Sequence, residues 1–170
     1  MNNFNFKNLI KNKGYSLIEV VVYIAVFSLI SVVVVNSFIV SFSASKTAFA
    51  KRNLLEAGNS AMETMTREIR GSESIVDANS TLGANPGILE INNSSTSRTV
   101  KFQINSGSLD IYENTVLQDS ISGSKVSISS LIFRKIITTS GEAVKIEMTL
   151  LDSLGRTVNF YNTVILRGSY

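Results

Sequence analysis

The chain has 170 residues, enough for one membrane segment and one modest globular domain. It contains no cysteine and no histidine, which excludes disulfides, thiol or imidazole metal ligands, and Ser-His or Cys-His nucleophiles. The formal charge of +3 comes from Lys7, Lys11 and Lys13, because without them 13 basic residues face 13 acids. The charge therefore indicates a basic leader and not a nucleic-acid-binding surface.

An apolar zone follows the leader at residues 15–45, and its only charged side chain is Glu19. Residues 20–45 carry no charge, and about 20 apolar residues suffice for a helix to cross a bilayer. The many Val and Ile residues are weak helix formers in water, but in hydrocarbon the backbone must satisfy its own hydrogen bonds. The zone therefore predicts one membrane-spanning helix.

The helical pattern continues to about residue 70. Lys46 and Arg52 end the apolar zone, after which apolar residues recur at helical spacing. Arg70 suits the helix dipole in the last turn, and Gly71 predicts the end of the helix. We expect this half of the helix to lie on a folded domain, with its methionines as core filler. The predicted contact face consists of Ala48, Leu55, Gly58, Met62, Met65 and Ile69.

Residues 71–170 predict an antiparallel β-rich domain. The part up to about residue 99 is polar and is predicted to be a loop with one strand at 88–91. Alternating apolar residues and Gly-containing turns then predict a meander. A long helix followed by such strands is an α+β arrangement. The later strands are expected at 100–104, 109–111, 126–137, 144–150, 158–160 and 164–166.

The most informative stretch is KGYSLIEVVVYIAVFSLI, residues 13–30. A basic leader ends at Gly14, an aromatic residue follows at Tyr15, and Glu19 lies four positions further on. Over residues 7 to about 40 the chain resembles the class III signal and N-terminal helix of type IV pilins and type II secretion pseudopilins. The resemblance implies a pilin-like fold and a non-enzymatic filament subunit. It also implies that a prepilin peptidase cuts between Gly14 and Tyr15 and methylates the new amine of Tyr15.

Physical arguments support these implied roles. Lys7, Lys11 and Lys13 should retain the N-terminus in the cytoplasm. A cut after Gly14 precedes the apolar segment and keeps it as an anchor, whereas an ordinary secretory signal is cut after its apolar region. A carboxylate in a membrane helix costs roughly 2.5–3.5 kcal/mol, which makes Glu19 a candidate functional residue. The resemblance implies that Glu19 neutralises the N-terminal amine of a neighbouring subunit during assembly.

Four parts are expected: a cleaved leader (1–14), a transmembrane and filament-core helix half (15–45), a helix half on the globular domain (46–70), and the outer domain (71–170). The expected partners are a prepilin peptidase, other pilin or pseudopilin subunits, an inner-membrane assembly platform and the membrane. No cofactor, metal or nucleic acid is expected. The expected location is the cytoplasmic membrane, with the N-terminus inside and the outer domain outside, followed by a cell-surface or periplasmic filament.

Two features bear on the kind of subunit. Asn36 stands where major pilins usually carry a helix-kinking proline, which many minor pilins and pseudopilins also lack. Tyr15, where phenylalanine is commoner, is only a mild departure from the family. MTREIRGSES (65–74) and VKIEMTLLDSLGRTVNFYNTVILR (144–167) resemble J-type minor pseudopilins and related minor pilins. The resemblance implies a minor subunit, with a role in priming or at the tip. Secretion, twitching and DNA uptake all remain open as the system served.

Two alternatives lie outside the pilin class. Ordinary signal peptidase could release a secreted binding domain near Ser43-Ala44-Ser45, although the apolar region exceeds the roughly 7–15 residues of a secretory signal. An enzyme would need converging acids. A calcium site in a C-terminal loop would be compatible with the pilin class, since some pseudopilins hold one, but the turn at residues 152–155 is interpreted as ordinary. The acids considered, which show no metal-ligand spacing, are Asp77, Asp110, Glu113, Asp119 and Asp152.

A third alternative, a DNA-capturing subunit of a competence pilus, needs a basic patch. Sheet alternation places charged residues on the solvated face by default, so a patch is not the favoured interpretation. The candidate residues are Lys101, Lys125, Arg134, Lys135 and Lys145.

Overall fold

The computed structural model describes residues 14–94, 96–121, 126–138 and 141–169. The predicted topology residues Lys7, Lys11 and Lys13 lie outside these ranges, as does Lys125. The chain divides into two compact units, residues 1–46 and 47–170. One helix, α1 (Leu17–Gly71), contributes to both. Its residues 17–46 are called the anchor half and its residues 47–71 the domain half.

The anchor half exposes apolar side chains on all sides. None of residues 14–46 is buried. The hydroxyls of Ser28, Ser31 and Ser37 each donate a 2.8 Å hydrogen bond to a carbonyl one turn earlier. An apolar surface whose polar groups are satisfied within the helix suits hydrocarbon.

The domain half buries a single face. Leu54 is 1% exposed, whereas Leu55, which the sequence placed on this face, is 39% exposed. The prediction was wrong at Leu55. Each residue turns the helix by about 100°, so the residue four positions before Gly58 shares its face, and that residue is Leu54. Ala48 is also exposed and does not belong to the face. The buried residues of α1 are Leu54, Gly58, Ala61, Met62, Met65 and Ile69.

Two antiparallel sheets follow the helix, which confirms the predicted α+β fold with a long N-terminal helix. The strands divide between two sheets, and the strand at 116–121 was not predicted because it lies at an exposed edge without regular alternation. The first sheet has the order β1 (Ser74–Ile75), β2 (Leu89–Asn93), β3 (Arg98–Asn105), β4 (Ser108–Glu113) and β5 (Val116–Ile121). The second has the order β6 (Val126–Thr138), β7 (Gly141–Asp152) and β8 (Thr157–Ile165).

The second unit contains its own hydrophobic core, formed by the domain half and both sheets. Phe102 of the first sheet and Phe133 of the second are fully buried there. The backbone after β8 returns to the end of α1, where the amide of Arg167 donates to the carbonyl of Ser72 at 3.0 Å. The segment after β8 is therefore held beside the C-terminal end of α1.

Candidate processing and assembly site

The predicted cleavage position precedes the helix. Gly14, Tyr15 and Ser16 lie outside regular structure, and Tyr15 is 74% exposed. A Cβ atom added at Gly14 would meet nothing within 4 Å. No neighbour among the described residues therefore requires glycine at residue 14, and Gly14 and Tyr15 are both exposed to a protease.

Glu19 lies in the first turn of α1, and Tyr23 lies one turn further along the same face. The hydroxyl of Tyr23 donates a 2.8 Å hydrogen bond to Oε1 of Glu19. Ser16 and Glu19 have the spacing of a capping box, but the carboxylate turns away from the helix start to reach Tyr23. Sequence reasoning missed Tyr23, although its spacing of four from Glu19 was the available signal.

The turn between β7 and β8 is organised by Asp152. Its carboxylate is buried and accepts hydrogen bonds from the amides of Leu154 and Arg156, both at 2.9 Å, and from Nε of Arg156 at 2.8 Å. Nη2 of Arg156 lies 2.7 Å from Oδ2 as an ion pair without hydrogen-bond geometry. Burial raises the pKa of Asp152, but the bonds from Arg156 and Leu154 outweigh it and hold the pKa below its ordinary value. The interpretation of residues 152–155 as a turn is confirmed.

Among the described residues, no three His, Cys, Asp or Glu side chains gather closely enough to hold a metal ion. Asp110, for example, is buried on β4, where its carboxylate accepts hydrogen bonds from Ser120 at 2.7 Å and from Asn105 at 3.1 Å. Its hydrogen bonds are thus made to neutral side chains of the same sheet.

The described residues of the proposed basic patch do not lie on one sheet. Lys101 belongs to the first sheet, with its ammonium 4.9 Å from the ring centroid of Tyr112. Arg134 and Lys145, in the second sheet, contact Glu147 at 3.3 and 2.8 Å. Hydrogen bonding to Lys145 and then to Arg134 holds the pKa of Glu147 below its ordinary value, although desolvation opposes the shift.

Lys135 is also paired with acids. Its ammonium lies 2.8 Å from Asp77 and 3.1 Å from Glu142. The hydrogen bond to Asp77 is the largest cause of its raised pKa. Acidic neighbours therefore compensate the three described cations of the second sheet.

Comparison with known protein families gives a match to the N-terminal region. A family model described as the prokaryotic N-terminal methylation motif matches residues 9–35, a range that includes Gly14, Tyr15 and Glu19. No match was found among curated proteins or among solved structures. The family match ends before residues 65–74 and 144–167, so it does not bear on the J-type resemblance.

The match agrees with the length and apolar composition of α1. Within the described ranges, α1 is the one helix long and apolar enough to cross a membrane. The motif belongs to proteins that are structural rather than enzymatic, and together with the apolar helix it supports membrane anchoring. The methylation motif, the long N-terminal helix and the antiparallel sheets support the type IV pilin-like class.

Proposed function

We propose that the chain is the precursor of a minor, non-enzymatic subunit of a type IV pilus or a type II secretion pseudopilus. The observation that carries the proposal is the methylation motif at residues 9–35, which spans both the cleavage position and Glu19. A prepilin peptidase cuts between Gly14 and Tyr15 and methylates the amine of Tyr15. Residues 15–45 then remain as the membrane anchor and later enter the filament core.

The leader sets the orientation in the cytoplasmic membrane. Lys7, Lys11 and Lys13 remain on the cytoplasmic side, because positive charge close to a span favours that side. The outer domain, residues 71–170, is thereby exported. The inner-membrane assembly platform then collects the anchored subunit and adds it to a growing filament beside other pilin or pseudopilin subunits.

Glu19 directs assembly. A carboxylate on a helix within lipid is costly unless it is paired. In the single chain Tyr23 donates one hydrogen bond to Glu19, which satisfies part of that need without neutralising the charge. The methylated amine of Tyr15 from a neighbouring subunit supplies the missing positive charge and sets the register of the incoming helix, because opposite charges attract strongly in low dielectric.

A DNA-uptake role is not the preferred function. Three of the four described cations considered for DNA contact are paired with Asp77, Glu142 or Glu147. Phosphate would have to compete with those carboxylates. Binding to duplex DNA that weakens steeply with salt would bring this alternative back.

The first test is the intact mass of the membrane-extracted protein, produced with and without a prepilin peptidase. The expected product with the peptidase begins at Tyr15 and carries one added methyl group, whereas Gly14→Leu remains uncut. A full-length product in both cases would make the chain a plain signal-anchored protein. A product beginning near Lys46 would make it a secreted domain.

The minor role has its own test. Asn36, in the place of the usual kinking proline, and the J-type resemblance of residues 65–74 and 144–167 support it. Quantitative immunoblotting of sheared filaments should find this subunit far less abundant than the principal one. Abundance equal to that of the principal subunit would contradict a minor role.

A further inference from the structure

Asn36 places a carboxamide well inside the apolar part of the anchor half. No charged residue lies between Glu19 and Lys46, and a helix crosses the hydrocarbon with about 20 residues. Every stretch of about that length between these two charges contains Asn36. The side chain therefore lies in the hydrocarbon, whatever the exact depth of the helix.

The carboxamide of Asn36 has no hydrogen-bond partner among the described residues. The hydroxyls of Ser28, Ser31 and Ser37 on the same helix instead donate to carbonyls one turn earlier. A carboxamide needs more, because it carries two N–H donors and a carbonyl acceptor. Inside a helix every backbone N–H is already bonded to the carbonyl four residues earlier. The helix itself therefore supplies no donor for the side-chain oxygen of Asn36.

This unpaired amide distinguishes one face of the anchor half from the others. Acyl chains offer neither donors nor acceptors, so only a polar group of another helix at the same depth can satisfy Asn36. The side chains beside it on this face lie four or seven residues away, the spacing of neighbours on a helix surface. They are Leu29, Val32, Val40 and Ser43, and all four are exposed.

We propose that two copies of this chain pair through their anchor halves in the membrane, with each Asn36 carboxamide donating an N–H to the carbonyl oxygen of the other. The inference rests on the membrane anchoring in the proposed function. Two parallel copies of one anchor hold Asn36 at the same depth, and two-fold symmetry makes the carboxamides complementary. Polar side chains join membrane helices in this way, and a single asparagine in an apolar helix interface fixes register and oligomeric state.

The pairing leaves Glu19 available for assembly. Asn36 lies 17 positions after Glu19, and each residue turns the helix by about 100°. The two side chains therefore point about 100° apart around the helix. The two Glu19 carboxylates of a pair are not pressed together, and each can still meet the amine of an incoming subunit.

The absence of cysteine from the chain permits a test with single-cysteine variants of the full chain. Ser43→Cys lies on the face of Asn36, whereas Ser45→Cys lies on the opposite side of the helix and is the matched control. Membranes that contain the precursor without a prepilin peptidase and without other pilin subunits are oxidised with copper phenanthroline. Filament assembly cannot occur there, so any cross-link reports on pairing in the membrane.

Ser43→Cys should form a disulfide-linked dimer, and Ser45→Cys should form far less of it. Adding Asn36→Leu should remove most of the Ser43→Cys dimer. Equal cross-linking at the two positions would reduce the contact to random collision, and a dimer that Asn36→Leu leaves unchanged would overturn the role of the amide. Cross-linking of Ser43→Cys only to other pilin subunits, once these are supplied, would overturn the pairing of identical copies.

A second measurement avoids the disulfide. Full chains labelled at Ser45→Cys with a donor or an acceptor fluorophore are mixed in phosphatidylcholine vesicles, and energy transfer is followed as lipid is added. Asn36→Leu should weaken the dimer roughly 3- to 30-fold, the scale of polar contacts between membrane helices. Ser31→Leu removes a polar side chain from the far side of the helix and should leave the affinity unchanged. Equal affinities of the wild type and Asn36→Leu would overturn the inference.

Failure of the pairing and failure of the proposed function give different results. A monomeric chain that is still cut at Tyr15 and enters filaments would refute the pairing alone. A paired chain that the peptidase leaves uncut would refute the proposed processing alone. Recovery of the chain in the soluble fraction would overturn the membrane anchoring on which both depend.

Discussion

The two halves of α1 belong to one helix but bury their side chains differently. In the anchor half no residue is buried, and valine, isoleucine, leucine and phenylalanine occur around the whole circumference. In the domain half the buried positions form one stripe from Leu54 to Ile69. The backbone is helical through both halves, and the halves differ in whether their side chains pack against a protein core.

The distribution of apolar side chains around each half indicates what surrounds that half. A helix in water needs one apolar face against a core and a polar face outside, as in the domain half. A helix that is apolar all round must be surrounded by lipid or by other helices. Glu19 is the one charged side chain of the anchor half before Lys46, and the two halves should differ in behaviour as they differ in pattern.

The largest expected effect follows from removing the carboxylate of the anchor half. Glu19→Ala should enter the membrane normally, because the substitution makes the helix more apolar. It should abolish incorporation into filaments, because the neighbouring amine loses its partner. The measurement is the amount of the protein in sheared filaments relative to the amount in membranes, by immunoblot.

The matched control lies in the domain half. Glu56 pairs with Arg52 at 2.8 Å in an exposed pair one helical turn apart, and exposed pairs contribute little. Glu56→Ala should therefore assemble like the wild type. If Glu19→Ala assembles as well as Glu56→Ala, Glu19 has no role in assembly.

The next effect compares one substitution in both halves. Ile69 is fully buried, so Ile69→Ala should lower the free energy of unfolding of the second unit by about 2–5 kcal/mol, through lost burial and a cavity. Ile30 is exposed in the anchor half, and Ile30→Ala should leave that free energy unchanged. Urea unfolding of the full chain in detergent micelles, followed by tyrosine fluorescence, measures both. Equal losses would mean that the anchor half packs on the second unit.

A smaller effect is expected at Gly58, where α1 lies against Phe160 of β8. A Cβ atom at Gly58 would overlap the ring of Phe160, whereas one at Gly71 would meet nothing within 4 Å. Gly58→Ala should therefore destabilise the second unit by about 1–3 kcal/mol, as overpacking does. Gly71→Ala is the control and should change stability by no more than about 1 kcal/mol, the scale of helix propensity. The same urea measurement applies, and a neutral Gly58→Ala would show that the ring moves aside freely.

Much of this architecture could be predicted from hydrophobic periodicity. The length of α1 and the strands β6 and β7 followed from their helical or alternating patterns. The strand β5 could not be predicted, because VLQDSI lies at an exposed sheet edge and burial imposes no alternation on it. The division into two sheets depends on contacts distant in sequence, such as the hydrogen bond from the amide of Ile128 to the carbonyl of Gly107.

The candidate site shows the same limit. Gly14, Tyr15 and Glu19 stand out in the sequence because each breaks the local composition, and their assigned roles stay predictions. The spacing of four residues between Glu19 and Tyr23 was a sequence signal for their contact, but only the coordinates show that the hydroxyl reaches the carboxylate. The network around Asp152 also needed coordinates, because a turn sequence does not show that its acid is buried.

The smallest effect concerns pH and should reach only the second unit. The pKa of Asp152 is lowered in the folded chain, mainly by Arg156 acting against the cost of burial. Its contribution to stability is therefore complete above the ordinary aspartate pKa of about 4 and is lost as the pH falls towards the lower folded value.

Asp152→Asn should unfold at a lower urea concentration at neutral pH and should lose less stability on acidification than the wild type. Glu63→Gln, which removes an exposed carboxylate of α1, is the control and should leave the urea midpoint at neutral pH unchanged. Far-ultraviolet circular dichroism should show that the anchor half stays helical throughout, because its backbone is satisfied in the micelle at every pH; simultaneous loss of its helix would refute the independence of the two halves.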